Sequence, residues 1–231
     1  MIHKTTHCAA SHNIHFSHKS YKSHKSHKSL YSQRIRIACL WLAVLCSALT
    51  GAHAAPKENA AWAALKAGKH IVLFRHAIAP GGGDPMTVVI DDCTTQRNLD
   101  AAGRAQSAAI GRQFKQRTIA VGEVWTSQWC RTRDTATLAF GAAAVRDERA
   151  FNSFFANPGA EPAQTVRARQ LLLNWLNGQP ASDLANLVVV THQVNITALT
   201  GIVPHSGEGV VLKHEGQTLT VVGRLQITAS D

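Results

Sequence analysis

The residues of this chain best suited to chemistry are two histidines and a few arginines, each placed just after a short apolar run. Arg75-His76 closes HIVLF, Arg131 and Arg133 stand in SQWCRTRDTA, and Thr191-His192-Gln193 closes NLVVV. Arginine carries a rigid fork of donors that matches phosphate oxygens. A neutral imidazole can attack phosphorus and form a covalent phosphohistidine, which divides one hard displacement into two easier ones. Arginine charges alongside lower the pKa of such an imidazole and keep it unprotonated at neutral pH. The equatorial oxygens of the transition state require fixed positive charge and donors, which Arg75, Arg131 and the second histidine can supply. Alone, each residue has a plain structural explanation: a strand-end histidine is commonly structural, and a first-turn arginine is commonly solvated or paired, here with Asp134. Convergence in one crevice is what would make them a site.

A parallel sheet supplies that convergence, because it brings strand ends to one edge. The pattern predicts strands at 70–75, 122–127, 143–146 and 186–192, of which the last is the strongest. Continuous β-branched runs of this kind suit strands buried on both faces. Helices are expected at 58–67, from an Asp100 N-cap to about 117, at 129–140 before Gly141, and at 162–176 before Gly178 and Pro180. VVLKHEG and LTVVGRLQI read as a hairpin turning at 215–217. Strands alternating with helices give an α/β fold: an open, mostly parallel sheet with helices on both faces and a C-terminal β-hairpin. Ligands of such sheets sit beyond the carboxyl ends of the strands.

Four ordered blocks across about residues 70–201 resemble the histidine phosphatase superfamily, in its phosphoglycerate-mutase-like group (branch 1). The Arg-His-Gly motif appears as Arg75-His76-Ala77. The Leu-Thr-x-x-Gly-x-x-Gln block appears as NLDAAGRAQ, with Asp100 replacing Thr. The Ser-Ser-x-x-x-Arg-x-x-x-Thr-Ala block appears as TSQWCRTRDTA, which aligns the family's second phosphate arginine with Arg131 rather than Arg133. The second family histidine matches His192 in VVVTHQVN. Within the group the chain is most similar to small exported members, including those acting on phosphorylated lipopolysaccharide-core heptose. The resemblance implies a metal-independent phosphomonoesterase that needs no cofactor, with a small phosphorylated substrate such as an envelope sugar. It implies His76 as nucleophile and Arg75, Arg131 and His192 as holders of the phosphoryl oxygens. The backbone N–H of Gln193 is a further donor, and Asn98 either faces the pocket or serves the start of the following helix.

Two departures from the family pattern stand out. Ala77 replaces a glycine, which is tolerable where the position avoids positive φ. The glutamate that many members carry about 25 residues after the second arginine is absent, since FNSFFANPG holds no carboxylate. No aspartate follows His192 either, so the general acid falls to Asp84, Glu148 or Glu161. Without a strong acid, esters with poor leaving groups react slowly. A non-catalytic phosphate-binding module of the same fold and a phosphomutase are the competing readings. Gly81-Gly82-Gly83 reads as a loop or lid, His205 as a pocket-lining candidate, and Trp125, Trp129 and Trp175 as core or pocket wall. The whole interpretation requires the two imidazoles to lie within about 10 Å of each other, close enough to share one ligand.

Charge and the N-terminus bound the rest. The 231 residues hold 24 Lys+Arg against 14 Asp+Glu, yet residues 1–54 carry 5 Lys and 2 Arg with no acid. The remaining 17 basic and 14 acidic side chains leave the body only mildly basic, which argues against a broad grip on nucleic acid. Residues 1–36 are low-complexity, rich in Ser, His and Lys, and read as an unfolded tail. Arg34 and Arg36, the apolar run 37–49 and Ala52-His53-Ala54 have the layout of a secretory signal peptide cut near Ala54, whose compact form would begin near Leu30. The 13-residue run is short of the ~20 that a spanning helix needs, so no membrane span is expected after cleavage. The expected organisation is a tail and signal at 1–54 and one domain at 55–231, exported to the periplasm or beyond. Export permits disulfides. The two mature cysteines, Cys93 and Cys130, are then either one disulfide or two separate buried thiols.

Overall fold

The computed structural model describes residues 56–180 and 182–231. The expected tail and signal at 1–54 lie outside them. In chain order the elements are α1 (Pro56–Ala67), β1 (Ile71–Arg75), α2 (Ala101–Gln116), β2 (Val121–Thr126), α3 (Cys130–Phe140), β3 (Val145–Asp147), α4 (Glu161–Gly178), β4 (Asn186–Thr191), α5 (Gln193–Thr200), β5 (Gly209–Glu215) and β6 (Thr218–Leu225). The sheet runs β3-β2-β4-β1-β5-β6. Its first four strands are parallel, and the C-terminal hairpin β5–β6 adds antiparallel strands against β1. The α/β architecture is the one the sequence pattern predicts.

Strand periodicity divides the core in two. Val72, Phe74, Val124, Val188 and Val190 point to one face, where they meet apolar residues of α1, α2 and α3. Ile71, Leu73, Leu187 and Val189 point to the other, against Leu172 and Trp175 of α4 and Ile196 and Leu199 of α5. Fully burying each such side chain contributes about 1.5–3 kcal/mol, so β1 and β4, buried on both faces, are the most firmly held strands. Asn186 locks the lower end of β4. Its Nδ2 donates to Leu65 O and Ala120 O, and its Oδ1 accepts from the His70 N–H.

Capping follows local chemistry. Asp100 accepts from the Gly103 N–H at 2.7 Å and starts α2, as expected. Gly103 is required for a second reason: a Cβ there would lie 2.0 Å from Ile78 O, on the loop that leaves His76. Two segments depart from expectation. The strand expected at 143–146 begins only at Val145, because Gly141 (φ +86°) turns the chain and Ala142–Ala144 forms a 3-10 turn. After His192 the chain forms α5 despite its β-branched residues, because burial of Ile196 and Leu199 outweighs propensity; Gly201 in the left-handed region ends it.

Candidate active site

The carboxyl ends of β1, β2 and β4 meet at one edge of the sheet, so three chain segments deliver side chains to one place. Arg75 ends β1 in register with Thr191 of β4. The His76 N–H continues that ladder, donating to Thr191 O at 2.9 Å. Arg131 enters from the first turn of α3, and His192 is the N-cap of α5. The imidazoles of His76 and His192 lie 5.5 Å apart, edge to face, well inside the required separation.

A cavity of about 490 Å³ opens here, lined among others by Arg75, His76, Arg131, His192 and Gln193. The structure therefore brings five of the six sequence-derived candidates together. Asn98 is the exception: it does not line the cavity, and its Nδ2 donates to Cys93 O at 2.6 Å, steadying the turn before α2. Arg133 also turns away, to Asp147 and Asp91, so the cavity takes Arg131. His205 is exposed and lies outside the lining.

Hydrogen bonds decide what each group can do. His76 Nδ1 lies 2.8 Å from Ala77 O, an acceptor only, so Nδ1 carries the proton and Nε2 keeps its lone pair. Burial, followed by the Arg131 charge, holds the His76 pKa down at about 3. Burial and Arg131 likewise hold His192 well below the ordinary histidine range. His192 Nε2 meets Ser127 Oγ at 2.9 Å, and its Nδ1 faces Arg131 Nη2 at 3.5 Å. Arg75 Nη1 is fixed by Gln193 Oε1 at 2.9 Å and Pro204 O at 3.0 Å. Trp129 stacks its ring on the Arg131 guanidinium, 5.0 Å from Cζ to the ring centroid. Ala77 is unstrained, since Lys69 and Thr118 are the non-glycine residues with positive φ among the described residues.

Sequence reasoning missed Arg97 and Ser127. Arg97 lines the cavity, and its Nη1 donates to Ala79 O at 2.7 Å and Gly81 O at 2.9 Å. The one available signal was its position just ahead of the block that begins at Asn98. Of the three carboxylates considered as acids, the structure brings only Asp84 to the cavity. Asp84 Oδ1 accepts from Arg131 Nη1 and from the Arg97 N–H, both at 2.9 Å. Glu148 caps a 3-10 turn and Glu161 accepts from Thr165 in α4. The cavity thus holds three guanidinium groups against one carboxylate, an excess of two positive charges that a phosphate dianion would neutralise.

Cys93 and Cys130 form a disulfide, which resolves the alternative left open by their spacing. Among the described residues, no cluster of three or more His, Cys, Asp or Glu is arranged to hold a metal ion. No described helix is long and apolar enough to cross a membrane.

No family model and no curated protein matches the chain. Among solved structures it is similar to a mycobacterial hydrolase, with 16% identity over 68% of this chain and 95% of that one (TM-score 0.49). It is also similar to the protein histidine phosphatase SixA complexed with tungstate, with 13% identity, 70% and 97% coverage and a TM-score of 0.47. A mycobacterial glucosyl-3-phosphoglycerate phosphatase in complex with VO3 matches with 16% identity, 68% and 96% coverage and a TM-score of 0.48.

Proposed function

We propose that this protein is a phosphomonoesterase that works through a phosphohistidine on His76. The observation that carries the reading is the pairing of an imidazole held neutral, with its Nε2 lone pair free, and a cradle carrying two net positive charges. His76 Nε2 attacks phosphorus as the P–O ester bond breaks. A proton carried in on the phosphate monoester is relayed through the Asp84 carboxylate to the departing alcohol oxygen. Water then attacks the phosphohistidine, Asp84 takes up the water's proton, and His76 leaves with its lone pair restored. Arg75 and Arg131 hold the phosphoryl oxygens, and the phosphate takes over the Arg131 Nη1 donor that otherwise bonds Asp84. A dianion beside His192 offsets the arginine charges, so that His192 can bind a proton at Nδ1 and donate it to an oxygen.

The signal-like layout at 34–54 and the Cys93–Cys130 disulfide support action outside the cytoplasm, in the periplasm or beyond. The test is hydrolysis of p-nitrophenyl phosphate by the 55–231 protein with EDTA present. The expected result is turnover that persists at pH 5, where His76 is still unprotonated, with a mass increase of one phosphoryl group trapped on alkaline quench. His76→Ala should lose at least 10³-fold in kcat. A wild-type rate no higher than that of the variant, with no phosphoenzyme, would sink the proposal.

A further inference from the structure

Resting on that reading, the far wall of the cavity points to the other half of the substrate. We infer that the ester cleaved here is one of an apolar alcohol, with an alkyl or aryl chain, rather than of a polyhydroxylated sugar or an amino acid. All the charged side chains of the cavity belong to the phosphate end: Arg75, Arg97, Arg131 and Asp84, together with the two histidines. Among the rest of the lining, Pro85, Met86, Val88, Phe155, Ala156 and Val194 are apolar. Ser153 and Gln193 are its uncharged polar side chains, Gln193 Oε1 already accepting from Arg75, and no lysine or second carboxylate is in the lining.

The two largest of these side chains are held in water. Met86 is 99% exposed and Phe155 65% exposed, and both line the cavity. Together with the other apolar side chains of the lining they offer hydrocarbon surface that a bound apolar group would remove from water. The alcohol of the bound ester is the group left to meet this surface, because the arginines and histidines hold the phosphate. A sugar ring there would exchange water for hydrocarbon at several hydroxyls without partners. An apolar chain would instead gain roughly threefold to fourfold in affinity per methylene buried. The envelope sugar expected from the resemblance is therefore the less suitable substrate. A phosphorylated lipid-like or aromatic alcohol fits the wall.

Two measurements separate this inference from the reading it rests on. The first is the Kd of unhydrolysable methyl-, butyl-, hexyl- and octylphosphonate, measured by calorimetry below their aggregation limits. The second is kcat/KM for the matching alkyl phosphates, for naphthyl phosphate, and for glycerol phosphate and glucose phosphate. The alkyl esters share one leaving-group chemistry, so chain length reads the wall alone. The expected result is a Kd that falls at least tenfold from methyl to hexyl, with kcat/KM rising in parallel and hexyl phosphate far ahead of glucose phosphate. In Met86→Asp and Phe155→Asp, both at exposed positions that the fold does not need, the hexyl-to-methyl ratio should fall about tenfold. A Kd independent of chain length, or glucose phosphate as the preferred ester, would overturn the inference while leaving phosphatase activity intact. Chain-length-dependent binding without turnover of any ester would support the inference and count against the catalytic reading.

Discussion

At the scale of single residues, Asp84 and Arg97 are the lesson of the site. Asp84 was visible in the sequence only as one of three scattered carboxylates, because a loop residue carries no periodic signal to say where it points. The structure distinguishes it by two 2.9 Å bonds, from Arg131 and from the Arg97 backbone. If it is the proton donor, its removal must hurt most where the leaving oxygen is most basic. Asp84→Asn keeps the hydrogen-bonding shape and should lower kcat for an alkyl phosphate by about 10²–10³-fold. For p-nitrophenyl phosphate, whose leaving group needs no proton, the loss should be under tenfold. Equal losses on both esters would show Asp84 to be a positioning residue for Arg131. Arg97 was illegible for a related reason: in TTQRNLD it looks like any solvated arginine, and only the fold turns it inward.

At the scale of elements, the strands were readable because apolar, β-branched runs leave few alternatives, whereas their order in the sheet came only with the structure. His76, His192, Arg75 and Arg131 were readable with them, each being fixed relative to a strand end. The short helix α5 was not, because its local propensity opposes the burial that forms it. The segment between β1 and α2, which carries Asp84 and Arg97, has little regular structure beyond a 3-10 turn and depends on tethers. Cys93, in that turn, is bonded to Cys130, which begins α3 and precedes Arg131. The Cys130 N–H adds a bond to Gln96 Oε1 at 2.9 Å. Closing a loop with a sequence separation of 37 should contribute about 2–4 kcal/mol. A Cys93→Ser, Cys130→Ser variant should therefore melt roughly 5–15 °C lower by calorimetry. An unchanged melting temperature would mean that Gln96 and the Asp84 contacts suffice to hold the segment.

At the scale of the whole molecule, keeping two histidines uncharged opposes stability in acid. The folded pKa of His76 is about 3 and that of His192 is well below the ordinary range, whereas an unfolded histidine titrates near ~6.5. Between those values the unfolded chain binds protons that the folded chain refuses, so stability rises with pH and falls as pH drops below about 6.5. Each histidine adds up to about 1.4 kcal/mol per pH unit to that slope. His76→Ala should flatten urea-derived stability between pH 6 and 4 by about that amount, and a slope equal to wild type would refute the assignment. The bond from the His76 N–H to Thr191 O joins the two central strands at the residue proposed to do the chemistry. That amide can trade its hydrogen for deuterium only when β1 and β4 separate, so its exchange should be among the slowest in the chain. Heat should accordingly abolish catalysis and tertiary structure at a single temperature, leaving no inactive but folded intermediate.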